Sequence, residues 1–418
     1  MKKNYLFTLI FSLLFSFSYS QINSFPHSVS FETGTDLGTS NSDVSSKWST
    51  YLGDKDLVFQ RKQGATTSSG TGPSSASAGN WYVYIESSGS NTSDEAQIGA
   101  QFDLSGITNA TMTFDYHTYG ESGTVGPAEA VIWIHNNTDD VWKMIWQTEN
   151  NYNAWQNATV DLSDYDGKTI TIWFVPVVAT ANAYGAFQSD FALDNIKVGA
   201  SGTLGEQSAV NYYVDDSGSD SNNGLTSGAP FLTLSKAIET ASDGYGDIIN
   251  VAAGTYRDHT VVVGKSLTIR GAGYGSTIFE NNTTNKGFMS IISSNVTVEK
   301  LKVKDYSLTT ASSTANNYDG AGIRIGAKIN NSATRVYIEH KGISLNDIYF
   351  EDNINDSDSG DGGAVGLVSN PAVGATAGGY TSVTINSCIF DGNKAGTTGS
   401  ETSGHNGGAI MVKGGGKL

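Results

Sequence analysis

Phe350-Glu351-Asp352-Asn353, followed by Gly362-Gly363-Ala364-Val365, returns as Phe390-Asp391-Gly392-Asn393 followed by Gly407-Gly408-Ala409-Ile410. The Phe and Asn pairs are 40 positions apart and the GGA phrases 45. The run before each copy also matches, Ile343-Ser344-Leu345-Asn346-Asp347-Ile348 against Val383-Thr384-Ile385-Asn386-Ser387-Cys388. Self-similarity at this period is the mark of a stacked solenoid. Each copy is a short β-prone strand that ends in a turn rich in Asp, Asn and Gly. The glycines permit tight corners, and the asparagine side chain can bond the turn backbone. The extra residues of the second copy fall in Lys394–Asn406, which reads as a loop on one face, where solenoids absorb insertions.

Outward from this pair, the strands recur at regular intervals through 211–418. They include Ser266–Arg270, Val296–Val303, Gly322–Ile325 and Ala364–Val368. One segment has helical spacing, Leu234–Ala241, with Leu234, Ala237, Ile238 and Ala241 on one face. The string from Tyr212-Tyr213-Val214-Asp215 through this helix to Asp247–Tyr256 resembles the opening of secreted right-handed parallel β-helix proteins of the pectate-lyase-like superfamily. That resemblance implies a short N-terminal helix plugging the open end of the solenoid, where a bare coil would expose an apolar core and an unpaired edge. The FxxN and GGA phrases resemble the repeats of polymorphic outer-membrane, autotransporter-type adhesins. The chain stops at Leu418, just after a GGA strand, so a further coil is expected and the sequence reads as C-terminally incomplete.

The first half, 25–199, also reads as strands with almost no helix: Trp81–Ile85, Ala110–Tyr116, Ala130–His135 and Thr169–Val175. Strands at this spacing predict a two-sheet sandwich or jelly roll. Phe31-Glu32, Thr71-Gly72-Pro73, Gly79–Glu86, Tyr116–Gly120, Trp155 with Val160 and Leu162, and Phe191–Ile196 occur in order. Together they resemble a MAM domain, an extracellular jelly-roll module of adhesion and protein association, though its disulfide cysteines are absent. Residues 200–210 read as a linker. The fold class is therefore all-β, a jelly roll followed by a parallel β-helix.

Lys2 and Lys3, the apolar Tyr5–Phe17 and Ser18-Tyr19-Ser20 have the form of a cleaved export signal over residues 1–20. The apolar run is shorter than the roughly 20 residues of a membrane span. The mature chain is thus expected to be secreted or displayed at the cell surface. A formal charge of −17 disfavours nucleic acid. The single cysteine, Cys388, rules out internal disulfides and thiolate zinc clusters and reads as a small buried residue.

Among the tryptophans, Trp133, Trp155 and Trp173 read as core, which leaves Trp142 and Trp146 as candidates to contact a ligand. His117 reads as structural, since no nucleophile motif accompanies it. Glu32 and Asp194, on the opening and closing strands, could share calcium through hard oxygen ligands, as could Asp356, Asp358 and Asp361. If the solenoid were a lyase, Arg324 with Asp358 and Asp361 would be the residues to carry it. The leading expectation is a non-catalytic protein of adhesion or of glycan or protein binding. The competing one is a polysaccharide lyase or glycoside hydrolase with the β-helix as catalytic domain.

Overall fold

The computed structural model describes residues 21–33, 43–45, 47–51, 57–88, 90, 94–121, 129–148, 151–178, 188–205, 209–244, 246–259, 261–281, 285–308, 320–326, 340–356, 362–368, 381–396 and 407–413. Residues 1–20, read as an export signal, and Asp358 and Asp361 lie outside the described residues. The chain divides into two compact units that part between Glu206 and Gln207.

The first unit is a sandwich of two antiparallel sheets. Its strands are β1 (His27–Val29), β2 (Asp43–Ser45), β3 (Trp48–Tyr51), β4 (Gln60–Lys62), β5 (Tyr82–Ile85), β6 (Gln97–Asp103), β7 (Ala110–Thr118), β8 (Glu129–Asn136), β9 (Val141–Thr148), β10 (Tyr152–Asp161), β11 (Thr169–Val177) and β12 (Phe191–Ala200). One sheet runs β10-β7-β12-β5-β4, with β1 also paired to β12. The other runs β2-β3-β6-β11-β8-β9. Alternate residues of the two sheets meet in one core. Ile98, Ala100, Phe102, Ile132, Ile134, Ile170, Ile172 and Phe174 come from the second sheet. Val83, Ile85, Met112, Phe114, Tyr116, Leu193 and Val198 come from the first. Phe114 meets Phe174 edge to face at 4.9 Å, an arrangement the ring quadrupole favours.

The second unit is a parallel β-helix. One sheet takes in Asn211–Val214, Ile248–Val251, Thr268–Gly271, Thr297–Lys304, Ile343–Glu351 and Val383–Asn386 in chain order. A second takes in Val261–Val263, Met289–Ile291, Ile323–Ile325, Val365–Val368 and Ile410–Lys413, and a third Ser307–Leu308, Ile354–Asn355 and Lys394–Ala395. Each coil thus lies on the one before, and equivalent residues form columns about 4.8 Å apart. One inward column runs Ile249, Ile269, Val298, Leu345 and Ile385.

The repeated phrases fall in register. Phe350 pairs with Phe390, and their rings stack at 5.1 Å with 7° between planes. Asn353 Nδ2 donates to Asn393 Oδ1 at 2.9 Å and to Val303 O at 3.0 Å, while its Oδ1 accepts from Tyr306 N at 3.2 Å. Asn393 repeats the pattern on Phe350 O at 2.9 Å. The corner backbone repeats too, with left-handed φ at Asp305, Asp352 and Gly392. Gly363 lies where coils approach so closely that a Cβ would stand 2.2 Å from Gly408 O. The capping helix, Leu234–Thr240, starts at Thr233, whose side chain accepts from Lys236 N, and buries Leu234, Ala237 and Ile238 against the first coils. Cys388 is half-buried and packs against the solenoid core.

Candidate functional site

The outer face of the six-stranded sheet β2-β3-β6-β11-β8-β9 carries a row of side chains that its strand alternation turns away from the core. Because Ile132, Ile134, Ile172 and Phe174 point inward, Trp133 and Trp173 point outward, and the register pairs them directly. Gly99 pairs with Trp173 on one side and Met144 with Trp133 on the other. The row Gly99, Trp173, Trp133, Met144 therefore crosses four neighbouring strands. A Cβ on Gly99 would stand 2.5 Å from Cε3 of Trp173, so glycine is what lets the indole lie across β6. Trp133 is half-buried and Trp173 is 8% exposed.

One register step along, His135 pairs with Trp142, and the two rings stack at 4.5 Å with 13° between planes. His135 Nε2 lies 2.9 Å from Asp140 Oδ1 and Nδ1 lies 3.0 Å from Asn137 Nδ2, which fixes the ring and so the indole. On the other flank Gln147 pairs with Val131; it is 2% exposed, and neither Oε1 nor Nε2 of its amide has a partner. Met144 is 6% exposed, so the partly exposed members of the row are Trp133 and the Trp142–His135 stack, an aromatic surface edged by an imidazole that suits a ligand with one apolar face and hydroxyls at its rim.

The sequence reading of the tryptophans needs correction here. Trp146 is not a ligand-facing residue. It belongs to the core, edge to face with Phe114 at 5.0 Å and Tyr116 at 5.1 Å. Trp133, read as core, is half-buried on the outer face, and Trp173, buried as read, points to that same face. A register shift between Ile132 and Trp133 in the β8–β9 pairing, with the extra residue in β9, is what separates Trp142 from Trp146. A bulge adds one residue to a strand and inverts the parity beyond it, so Trp142 and Trp146 end on opposite faces.

The outer face of the other sheet is roofed by the segment from Gly64 to Trp81. Tyr82 Oη donates to Gly64 O at 2.9 Å and Trp155 Nε1 to Ser75 O at 2.8 Å. Glu32 and Asp194 hold the same segment. Glu32 Oε1 accepts from Asn80 N and Trp81 N at 2.8 Å each, and Asp194 Oδ2 accepts from Ser77 N at 3.0 Å and Ala78 N at 2.8 Å. The two carboxylates thus act on backbone amides of one loop. His117 is buried beneath it beside Trp155, and burial pushes its pKa down to about 4, so it is neutral.

Burial raises the pKa of Asp194, and that of Asp190, to about 7, against the hydrogen bonds that pull the other way. A carboxyl whose folded pKa is raised adds stability that is complete below its unfolded pKa near 4 and is lost as pH rises through 7. In metal-free buffer, the first unit should therefore unfold at a higher temperature at pH 5 than at pH 8, and Asp194→Asn should flatten that slope. A melting temperature that climbs between pH 5 and pH 8 contradicts the assignment.

In the solenoid, Arg324 sits between inward Ile323 and Ile325 and is 7% exposed, with Nε donating to Ser290 Oγ at 3.2 Å. Asp356 follows the third-sheet strand Ile354–Asn355, and its amide donates to Leu308 O at 2.7 Å. Among the described residues no group of three or more His, Cys, Asp or Glu side chains is placed to hold a metal ion. A pocket of about 210 Å³ is lined by Tyr213, Asp215, Asn250 and Arg270, but Arg270 is committed to Glu299.

Residues 30–202 match the family model for the MAM domain, meprin/A5/mu. Among solved structures, the K1 cleaved adhesin domain of Lys-gingipain from Porphyromonas gingivalis W83 is similar at 17% identity and a TM-score of 0.28, over 43% of this chain and 100% of that one. The CBM22-1 xylan-binding domain of Xyn10C from Paenibacillus barcinonensis is similar at 10% identity and a TM-score of 0.27, over 41% and 92%. TmCBM61, solved with β-1,4-galactotriose, is similar at 13% identity and a TM-score of 0.26, over 36% and 86%. Among the described residues no helix is long and apolar enough to cross a membrane.

The aromatic row gives a direct test of Gly99. Gly99→Val drives a side chain into Trp173 and to within 2.4 Å of Ile172 O. The expected cost is about 1–3 kcal/mol of stability, by the usual penalty for overpacking. Thermal unfolding, with near-ultraviolet circular dichroism to follow the indole, checks it; an unchanged spectrum and stability would show that Trp173 does not lie there.

Proposed function

We propose that this chain is an exported, extracellular binding protein. Its first unit takes up glycans on the outer face of the β2-β3-β6-β11-β8-β9 sheet and does not turn them over. The observation that carries the reading is the paired Trp173 and Trp133, extended by Met144 and flanked by Trp142 on His135. Pyranose rings present a C–H face that lies on flat indoles, and the imidazole stacked under Trp142 stands beside their hydroxyls. The MAM match over residues 30–202 supports an extracellular binding role for this unit, and the basic and apolar residues of 1–20 support export. In this reading 25–199 is the binding domain, 200–210 the linker, and the β-helix from 211 a stacked scaffold.

The reading is tested by screening the full chain against plant, algal and bacterial polysaccharides by affinity electrophoresis. Binding is expected to fall at least tenfold in Trp133→Ala and to persist in Trp81→Ala. The same samples, assayed for new reducing or unsaturated ends, should yield none. Product that accumulates with time, or retention unaffected by Trp133→Ala, contradicts the proposal.

A further inference from the structure

We propose that Glu86 and Asp190 form a binding site for a hard divalent cation beneath the roofed face of the first unit. The site is separate from Glu32 and Asp194. The pairing of Phe191 with Ile85, Ala192 with Tyr84 and Leu193 with Val83 sets Asp190 directly opposite Glu86, one step beyond the ladder. Like charges placed opposite one another on a sheet destabilise it. Yet the structure buries this pair: Asp190 is 0% exposed, and Glu86 is half-buried.

Each carboxylate has one oxygen satisfied and one not. Asp190 Oδ1 accepts from Ser87 N at 2.9 Å and Ser87 Oγ at 3.0 Å. Glu86 Oε1 accepts from Ser68 Oγ at 3.0 Å and Ser88 N at 3.2 Å. Asp190 Oδ2 and Glu86 Oε2 are buried without a hydrogen-bond partner. Among the described residues no ion pair reaches either side chain.

The surroundings are oxygen. Ser68 Oγ lies 2.9 Å from Ser88 Oγ, and Thr71 Oγ1 accepts from Asp190 N at 3.3 Å. Carboxylates and hydroxyls without nitrogen or sulfur ligands select calcium or magnesium over zinc or copper. One shared proton would supply a single O–H and leave a net negative charge buried. A divalent ion neutralises both carboxylates and takes both unpartnered oxygens as ligands. Tyr82 and Tyr84 are within electrostatic reach of Asp190, and burial keeps their hydroxyls protonated. An ion here would tie β5 to β12 and, through Ser68 and Thr71, to the roofing segment.

The test uses the full chain stripped of metal at pH 8. Calcium chloride in large excess is expected to raise the unfolding midpoint of the first unit by about 5 °C or more. Terbium should give emission sensitised by the nearby tyrosines and displaced by calcium. Glu86→Gln and Asp190→Asn should each abolish both signals, whereas Glu32→Gln should keep them. Both substitutions retain the acceptors for Ser68 and Ser87, so near-ultraviolet circular dichroism verifies that the variants fold; should one fail to fold, the other decides. A calcium response of the same size in Glu86→Gln and Asp190→Asn overturns the site. So does a midpoint of the parent chain that ignores calcium.

Discussion

Asn353→Ala is expected to destabilise the solenoid by about 2–4 kcal/mol. The residue is 0% exposed, and its side chain satisfies groups in both neighbouring coils. Removing it strands Tyr306 N–H and Val303 C=O, both of which it now bonds, and takes a donor from Asn393. A buried backbone group left without a partner costs about 1–3 kcal/mol, and here two are stranded at once. Asn393→Ala repeats the deletion one coil later, where the residue is half-exposed and water can substitute; about 1 kcal/mol is expected. Chemical denaturation of the two variants measures the difference. Equal losses would show that the asparagine column does not act through burial.

Lys265→Met should have an effect of similar size by a different route. Lys265 is 2% exposed, and its ammonium donates to Ile238 O at 2.9 Å, Glu239 O at 2.8 Å and Ala241 O at 2.6 Å. These carbonyls close the capping helix, where a helix has no internal donors left. Burial lowers the lysine pKa to about 8, while Asp243, Glu239 and Asp247 pull it back up, so the group is charged at neutral pH. Methionine keeps the stem and removes the three donors, and an expected loss of about 3 kcal/mol or more follows from the stranded carbonyls. Hydrogen exchange should show Leu234–Thr240 opening first. Protection of the helix equal to that of the parent chain would mean the lysine is dispensable there.

The architecture was legible where residues repeat at a fixed interval. Phe350 and Phe390 are 40 positions apart because one coil is that long at this point, and register then stacks them. The capping helix was legible because Leu234, Ala237 and Ile238 keep the 3.6-residue period beside strands that keep period two. The candidate face was not, for two reasons. In Ile132-Trp133-Ile134 and Ile172-Trp173-Phe174 both sheet faces are apolar, so alternation carries no sign of which side is inward. Between Trp142 and Trp146 the bulge changes the parity, and a bulge has no signature in Lys143-Met144-Ile145. Glu86 and Asp190 are 104 positions apart in the sequence, and only the β5–β12 register sets them face to face.

The central claim, that glycan lies on the outer face of the β2-β3-β6-β11-β8-β9 sheet, is tested most directly through the indole N–H signals of the chain's seven tryptophans in a ¹H–¹⁵N spectrum. Titration with an oligosaccharide that the chain retains should shift the signals of Trp133, Trp142 and Trp173. Trp48, Trp146 and Trp155 should stay in place, since the first two lie in the core and the third is bonded to Ser75 O. Movement confined to Trp81 and Trp155, or retention of the glycan with all seven indole signals unmoved, would contradict it.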